Sequence, residues 1–193
     1  MAETNQQQYK ARILEAAKVL FTRYGFRKTT VDEIAEWAGM AKSTMYKVFR
    51  TKEEILAELV VSEARAFRRA YMTEIKKLDD PLRKIEMLCR ESSNYFNRYP
   101  FLGRVMVDEE RRFTPFLRNE VSFVEDGIRE IITKLLHWGL EAGALRPLNV
   151  PDAVETILAL MWTFAYHQTP GDAENSEWVT FVLNGIKSPE GDG

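Results

Sequence analysis

The chain has 193 residues, 45% of them hydrophobic and 29% charged, with a formal net charge of −2; that suits one large domain, or a small domain joined to a larger one. No apolar run reaches about 18 residues, so no segment qualifies as a membrane span, and the polar, glutamine-rich start (residues 1–9) lacks the basic-then-apolar order of a secretory signal. Cys89 is the single cysteine, which excludes an internal disulfide and makes a reducing, cytoplasmic setting the expected one.

Ile13, Ala16, Ala17, Leu20 and Phe21 recur at helical spacing and predict an amphipathic helix from about Gln8 to Tyr24, stopped at Gly25. Thr30 opens "TVDE", a capping box with Glu33, and predicts a short second helix ending at Gly39. A third short helix fits Lys42 to Phe49, with Met45 and Phe49 turned inward. Two short helices joined by a tight glycine turn form a helix-turn-helix. Thr51 opens "TKEE", a second capping box, and predicts a long helix running past Ala70. Asp80-Pro81 is a cap followed by proline at the first helical position, and its helix reaches about Tyr99, ahead of Pro100. A short segment follows over Leu102–Arg111. Thr114-Pro115 repeats the cap-proline signal and starts a helix to about Ala142, ended by Gly143. Pro151–Tyr166 and Ser176–Lys187 complete the helices, with a polar loop over 168–175 between them and a loose tail at the end. No stretch alternates with period two and no internal repeat is present. The expected fold is all-α with about nine helices.

Charge is distributed unevenly over these elements. Through Lys52 there are 10 basic and 5 acidic residues, a balance of +5; from Glu53 onward there are 17 and 24, a balance of −7. A basic module on an acidic body points to a polyanion as the partner of the first quarter, against the plainer reading of chance variation along a charged surface. Lys42, Ser43, Thr44, Tyr46 and Lys47 fall on the second helix of the helix-turn-helix, the one that enters the DNA major groove in such motifs. Small hydroxyls permit close approach and bond base edges or phosphates, lysines neutralise phosphates, and a tyrosine hydroxyl donates to a phosphate oxygen. A solvated polar helix in an unrelated bundle is the competing reading of the same residues.

The stretch "LFTRYGFRKTTVDEIAEWAGMAKSTMYKVFRTKEEIL" (residues 20–56) resembles the DNA-binding domain of the tetracycline-repressor (TetR) family at fixed spacing, and the resemblance covers about a third of the chain. It implies a DNA-binding domain over residues 1–52 and an effector-binding and dimerisation domain over 53–193. It further implies that Thr30 and Lys52 hold phosphates, that Tyr46 and Lys47 contact the DNA backbone or groove, and that Ser43 and Thr44 read bases. Several positions depart from the family pattern. Ala41 stands where a capping serine is usual, a loss of about 1 kcal/mol; Ser43 replaces a common glycine, Val48 an aromatic, and Trp37 a smaller residue.

The resemblance also implies a homodimer joined through the last two helices, with Leu158, Trp162, Trp178, Phe181 and Val182 as apolar candidates for the interface; each is equally a candidate for the intramolecular core. A small-molecule pocket is implied between the helices that start at Asp80, Thr114 and Pro151. Tyr95, Phe96, Phe101, Met106, Phe123, Trp138 and Phe164 are its candidate lining, with plain core as the competing role. His137, His167 and Cys89 are too few to argue for a metal site, and no cofactor is expected. The function so implied is a ligand-responsive transcriptional regulator, a repressor that binds a palindromic operator as a dimer and is released by a small apolar or aromatic effector. The alternatives are an all-α enzyme, for which the chain shows no nucleophile elbow, phosphate-binding glycine loop or zinc motif, and a DNA-binding protein without an effector.

Overall fold

The computed structural model describes residues 2–107, 115–167 and 177–189. Among them lie nine α-helices: α1 (Ala2–Tyr24), α2 (Val31–Trp37), α3 (Lys42–Val48), α4 (Lys52–Glu74), α5 (Pro81–Arg98), α6 (Pro100–Val107), α7 (Pro115–Glu141), α8 (Val150–His167) and α9 (Glu177–Ile186). A single 3₁₀ turn, Ile75–Lys77, extends α4. The helix starts are explained by their caps. The Thr30 hydroxyl accepts from Glu33 N–H in a full capping box; the Thr51 hydroxyl accepts from Glu54 N–H, but the Glu54 carboxylate takes Arg50 N–H at 2.7 Å rather than Thr51 N–H, so the second box expected there is only half formed; and the Asp80 carboxylate accepts from Leu82 and Arg83 N–H. Helix α8 starts one residue before Pro151 because Asn149 caps it, accepting from Asp152 N–H at 3.2 Å; Pro151 then sits in the first turn, where its missing N–H is not needed. Helix α6 likewise begins at Pro100 rather than Leu102. The loop expected over 168–175 and the end of the tail, 190–193, lie outside the described residues.

The turn between α2 and α3 is held from both sides. Gly39 takes φ +60°, a left-handed conformation suited to glycine, and Met40 N–H donates back to Ala35 O at 3.0 Å, closing the end of α2. From α1, the Arg12 guanidinium donates to Ala38 O at 2.5 Å and Gly39 O at 3.1 Å, so one side chain satisfies the terminal carbonyls of α2 and fixes α1 against the turn.

Two hydrophobic cores result. The first joins α1, α2 and α3 to the start of α4 and takes in Phe101 and Leu102 of α6 and Leu117 and Val121 of α7. The second packs the end of α4 and α5 with α7, α8 and α9. The chain passes the expected boundary at Lys52/Glu53 inside helix α4, without a linker, and Ile55, Leu56, Leu59 and Val60 of α4 still belong to the first core. Helix α4 is therefore a strut common to both units.

Several side chains expected at a dimer face are core of the single chain. Leu158, Trp178 and Val182 are buried in the second core, because the inward stripe of α8 (Val154, Ile157, Leu158, Met161) meets that of α9 (Trp178, Val179, Val182). Trp162 is half-buried, edge-on to Phe96 at 5.8 Å. Of the five, only Phe181 faces out, 73% exposed.

Candidate DNA-recognition face and effector cavity

On α3, Met45 is fully buried and anchors the helix to the first core. Lys42, Ser43, Tyr46 and Lys47 are all exposed, and their positions, i, i+1, i+4 and i+5, make one face of a helix. Thr44 is half-buried beside that face. Ala41 gives α3 no side-chain cap, so the helix N-terminus keeps free N–H groups. The face presents two hydroxyls and two ammonium groups outward. One of these cations is already engaged: Lys42 Nζ pairs with Asp32 in the first turn of α2. Lys47 has no carboxylate within ion-pair distance among the described residues.

Two expected phosphate ligands are occupied. The Thr30 hydroxyl, besides capping α2, donates to Glu33 Oε2 at 2.8 Å. The Thr30 N–H donates to the same oxygen at 2.7 Å. These bonds, the backbone one first, hold the Glu33 carboxyl below the usual glutamate range. Lys52 departs further from expectation. It is partly buried; its Nζ donates to Phe26 O at 2.8 Å and Thr29 O at 2.9 Å and lies 4.3 Å from the Phe26 ring centroid. This ammonium clamps the loop between α1 and α2, and at most one donor remains for anything else.

The body contains a cavity of about 300 Å³. It lies between α4, α5 and α7, not between α5, α7 and α8 as the sequence suggested. The α4 wall is Val60, Ala64, Phe67 and Tyr71, an i, i+4, i+7, i+11 stripe; α5 supplies Leu88, Ser92, Tyr95 and Phe96, and α7 supplies Phe123, Val124, Ile128 and Ile131. Val60 to Tyr71 is eleven residues, so the slot extends roughly 16 Å along α4 at 1.5 Å per residue. Of the expected lining, Tyr95, Phe96 and Phe123 are present. Phe101 is instead buried against Phe21 of α1 at 5.9 Å, because α6 packs on the first core. Trp138 lies under Lys84 Nζ, 4.4 Å from its ring centroid, and Phe164 stacks on Trp178 at 5.6 Å; neither reaches the slot. The side chain of Met106 lies outside the described residues.

Polar groups in the slot are few. The Ser92 hydroxyl is buried and has no hydrogen-bond partner among the described residues. The Tyr95 hydroxyl donates to Glu63 of α4, and Glu63 Oε2 receives Lys18 Nζ from α1 at 2.8 Å. Lys18 also lies 4.2 Å from the Tyr99 ring centroid. Burial, followed by the hydrogen bond to Glu63, raises the Tyr95 hydroxyl pKa well above the ordinary tyrosine range. For Lys18, burial is the largest influence and lowers the ammonium's pKa, but the bonds to Glu63 and Tyr99 together outweigh it and the net shift is upward. A cavity wall is thus tied through one carboxylate to the first helix of the helix-turn-helix unit.

An outward-facing polar helix in a helix-turn-helix, joined by one continuous helix to a body with an apolar slot, defines a DNA-binding transcriptional regulator. Residues 13–59 match the family model described as bacterial regulatory proteins, tetR family. That match gives the chain a DNA-binding domain of the tetR family over those residues. It is 26% identical over 186 residues to the HTH-type transcriptional repressor KstR2 of Mycobacterium tuberculosis, covering 92% of each chain. The solved structure of that ketosteroid transcriptional regulator matches with a TM-score of 0.72 at 25% identity, over 93% of this chain and 95% of the other. FadR from Bacillus subtilis, solved in complex with stearoyl-CoA, matches with a TM-score of 0.75 at 22% identity, over 90% of this chain and 95% of the other; that likeness is one of fold.

Proposed function

We propose that the chain is a homodimeric repressor that binds a palindromic operator through α3 and is released when an elongated apolar effector enters the slot between α4, α5 and α7. The observation that carries this reading is α4 itself, whose first turns sit in the core of the helix-turn-helix unit and whose later turns wall the cavity. Residues 1–52 with the first turns of α4 act as the DNA-binding unit, and the rest as the effector and dimerisation unit. Ser43 and Thr44 read base edges. Lys42, Tyr46 and Lys47 contact phosphates, and Thr30 contributes its N-terminal position on α2, where the helix dipole favours anions. Lys52 holds the loop before α2 and acts on DNA only through it.

One copy of so short a helix reads few bases. Two copies about 34–36 Å apart meet successive major grooves on one face of the duplex. The outward faces of α8 (Thr156, Ala159, Thr163) and α9 (Thr180, Phe181) are the seam we assign to the dimer, with Phe181 as its apolar anchor. The names of the relatives, a ketosteroid regulator and a regulator bound to stearoyl-CoA, support a large apolar effector in a slot of this length. Such a regulator works in the cytoplasm with the DNA; among the described residues no helix is long and apolar enough to cross a membrane. A closed, filled body would have favoured a DNA-binding protein without an effector; the open slot favours the regulated form. No catalytic turnover is assigned.

The test is selection of an operator from a random duplex pool with the full-length protein, followed by titration at several salt concentrations. Affinity should fall steeply with salt, and Lys47→Gln should reduce the log–log slope by about one unit. Equal affinity for all duplexes, or a flat salt response, would overturn the reading.

A further inference from the structure

We infer that the effector carries an anionic head group, held at the mouth of the slot by Arg65 and Arg68; this rests on the reading of the slot as the effector site. The two arginines project from the α4 edge of the cavity and are exposed, as is Phe123 opposite them on α7. The rim also carries two carboxylates, but each is matched by a cation of its own helix. Asp126 accepts from Arg129 at 3.0 Å, and Glu130 accepts from Lys134 at 2.5 Å. Among the described residues neither Arg65 nor Arg68 has a carboxylate within ion-pair distance. Arg65 rests 5.9 Å from the Phe123 ring centroid. Arg68 faces Gly127, where its Nη1 would lie 3.8 Å from a Cβ that the glycine lacks. The interior behind them is lined by Val60, Ala64, Phe67, Leu88 and Ile131, so a hydrocarbon chain fits inside and a charged end does not.

Two guanidinium groups over the open end of an apolar slot, with no carboxylate at ion-pair distance among the described residues and with Arg68 sharing only the longer-range field of Glu130, match the forked geometry of a carboxylate or phosphate. The ligand class is a hydrocarbon chain, or a body of similar length, bearing a carboxylate or a phosphorylated carrier at one end. It enters between α4 and α7 with the apolar end first and leaves the charge at the rim, where it remains partly hydrated and escapes the desolvation cost of burial.

The test is direct binding to the full-length protein, followed by titration calorimetry, using three probes with the same chain: dodecanoate, dodecanoyl-CoA and 1-dodecanol, each below its aggregation threshold. The wild type is expected to bind at least one anion-headed probe about tenfold or more tighter than the alcohol, as a charge-assisted bond implies. Preference for dodecanoate assigns the carboxylate as the recognised group, and preference for dodecanoyl-CoA alone assigns the phosphates. In Arg65→Gln/Arg68→Gln the preference should shrink to within about twofold, with the alcohol's affinity unchanged. Gly127→Glu, which sets a carboxylate against Arg68 from the opposite wall, should reduce it independently. Equal binding of alcohol and anions by the wild type, a preference that survives both variants, or no binding of any probe would overturn the inference. None of these results touches operator binding, so the regulator reading stands or falls separately.

Discussion

The contact among Lys18, Glu63 and Tyr95 is where the slot and the helix-turn-helix unit share a single group, and its energetic weight can be worked out. The side chains of Lys18 and Glu63 are 17% and 12% exposed, between the buried and surface limits. Removing one partner from a buried pair costs about 3–5 kcal/mol, whereas exposed pairs contribute at most about 1 kcal/mol. Glu63→Gln, which keeps the shape but leaves Lys18 charged and unpaired, should therefore cost about 2 kcal/mol. For a chain of this size that is a fall in Tm of roughly 4–8 °C. Lys18→Met strands the carboxylate instead and should cost a similar amount. The two together should cost much less than their sum, with a coupling of about 2 kcal/mol in a double-mutant cycle. Tyr95→Phe keeps the ring and removes only the hydroxyl, so about 1 kcal/mol is expected. Denaturant or thermal unfolding of the dimer at fixed concentration measures all four. Additivity of Lys18→Met and Glu63→Gln within about 0.5 kcal/mol would show that the pair does not couple α1 to α4, and the coupling role assigned to Glu63 would fail with it.

Three further outcomes are expected. Asp32→Asn removes the carboxylate that holds Lys42, so operator affinity should rise by a few-fold and the salt slope should steepen, measured by titration at two or more salt concentrations; unchanged affinity would remove Lys42 from the phosphate contacts. Ser92→Ala deletes a buried hydroxyl that has no partner among the described residues, and because such a group costs about 1–3 kcal/mol, the ligand-free protein should melt a few degrees higher; a lower Tm would mean the hydroxyl is bonded. Stability should decline in alkali. Burial pushes the Cys89 thiol up to about 12 and raises the Tyr71 and Tyr95 hydroxyls, so the unfolded chain loses these protons first as pH rises. The loss from Cys89 should begin near pH 9, that from the tyrosines near pH 10, and each group contributes at most about 1.4 kcal/mol per pH unit. Replacing Cys89 with Ala should flatten unfolding free energy against pH between 9 and 12.

Helix starts and stops were legible because they depend on local chemistry: Thr30, Thr51 and Asp80 cap the helices they were expected to cap, and Gly25, Gly39 and Gly143 take positive φ at the expected ends. The face of α3 was legible for the same reason, since inward Met45 fixes which residues point out. The slot was read less well. Aromatic content drew attention to Phe101, Trp138 and Phe164, but residue size does not tell a cavity wall from a packed interior. The deciding feature was the register of α4, whose stripe Val60, Ala64, Phe67, Tyr71 continues past the apolar positions that serve the first core. A helix with an apolar stripe longer than one core needs is the signal that could have placed the slot. For α8 and α9 the sequence left core and interface open for the same residues, and Leu158, Trp178 and Val182 are core of the single chain. The roles of Arg12 and Lys52 depend on contacts 23 to 27 residues apart, which a local pattern does not contain.

Release from DNA by an occupant of the slot requires the occupant to bind one arrangement of α4 better than the other. Moving an equilibrium from about 1:99 to 99:1 takes roughly 5.5 kcal/mol of differential binding. At about 0.8 kcal/mol per buried CH₂, about seven methylenes that are covered in one arrangement and wet in the other supply it. A slot roughly 16 Å long accommodates that many, whereas a compact polar ligand would have to draw the same difference from a few hydrogen bonds. Behind the charged rim, the polar side chains of this slot are Ser92, Tyr71, Tyr95 and Glu63; Tyr71 already donates to Lys84 O, and Tyr95 and Glu63 are bonded to each other. The apolar length of the ligand must therefore drive the switch, and its head group at Arg65 and Arg68 must set which chain is accepted. Helix α4 converts the one into the other: displacement of its wall residues by the chain carries Glu63 with it, and Glu63 holds Lys18 on α1, whose Arg12 in turn holds the turn before α3. The links are the Lys18–Glu63 ion pair, helix α1 itself, and the hydrogen bonds from Arg12 to the Ala38 and Gly39 carbonyls. The path therefore makes a specific claim, that substitutions at Glu63 should alter effector release more than substitutions of equal thermal cost in the second core, such as Ile132→Val.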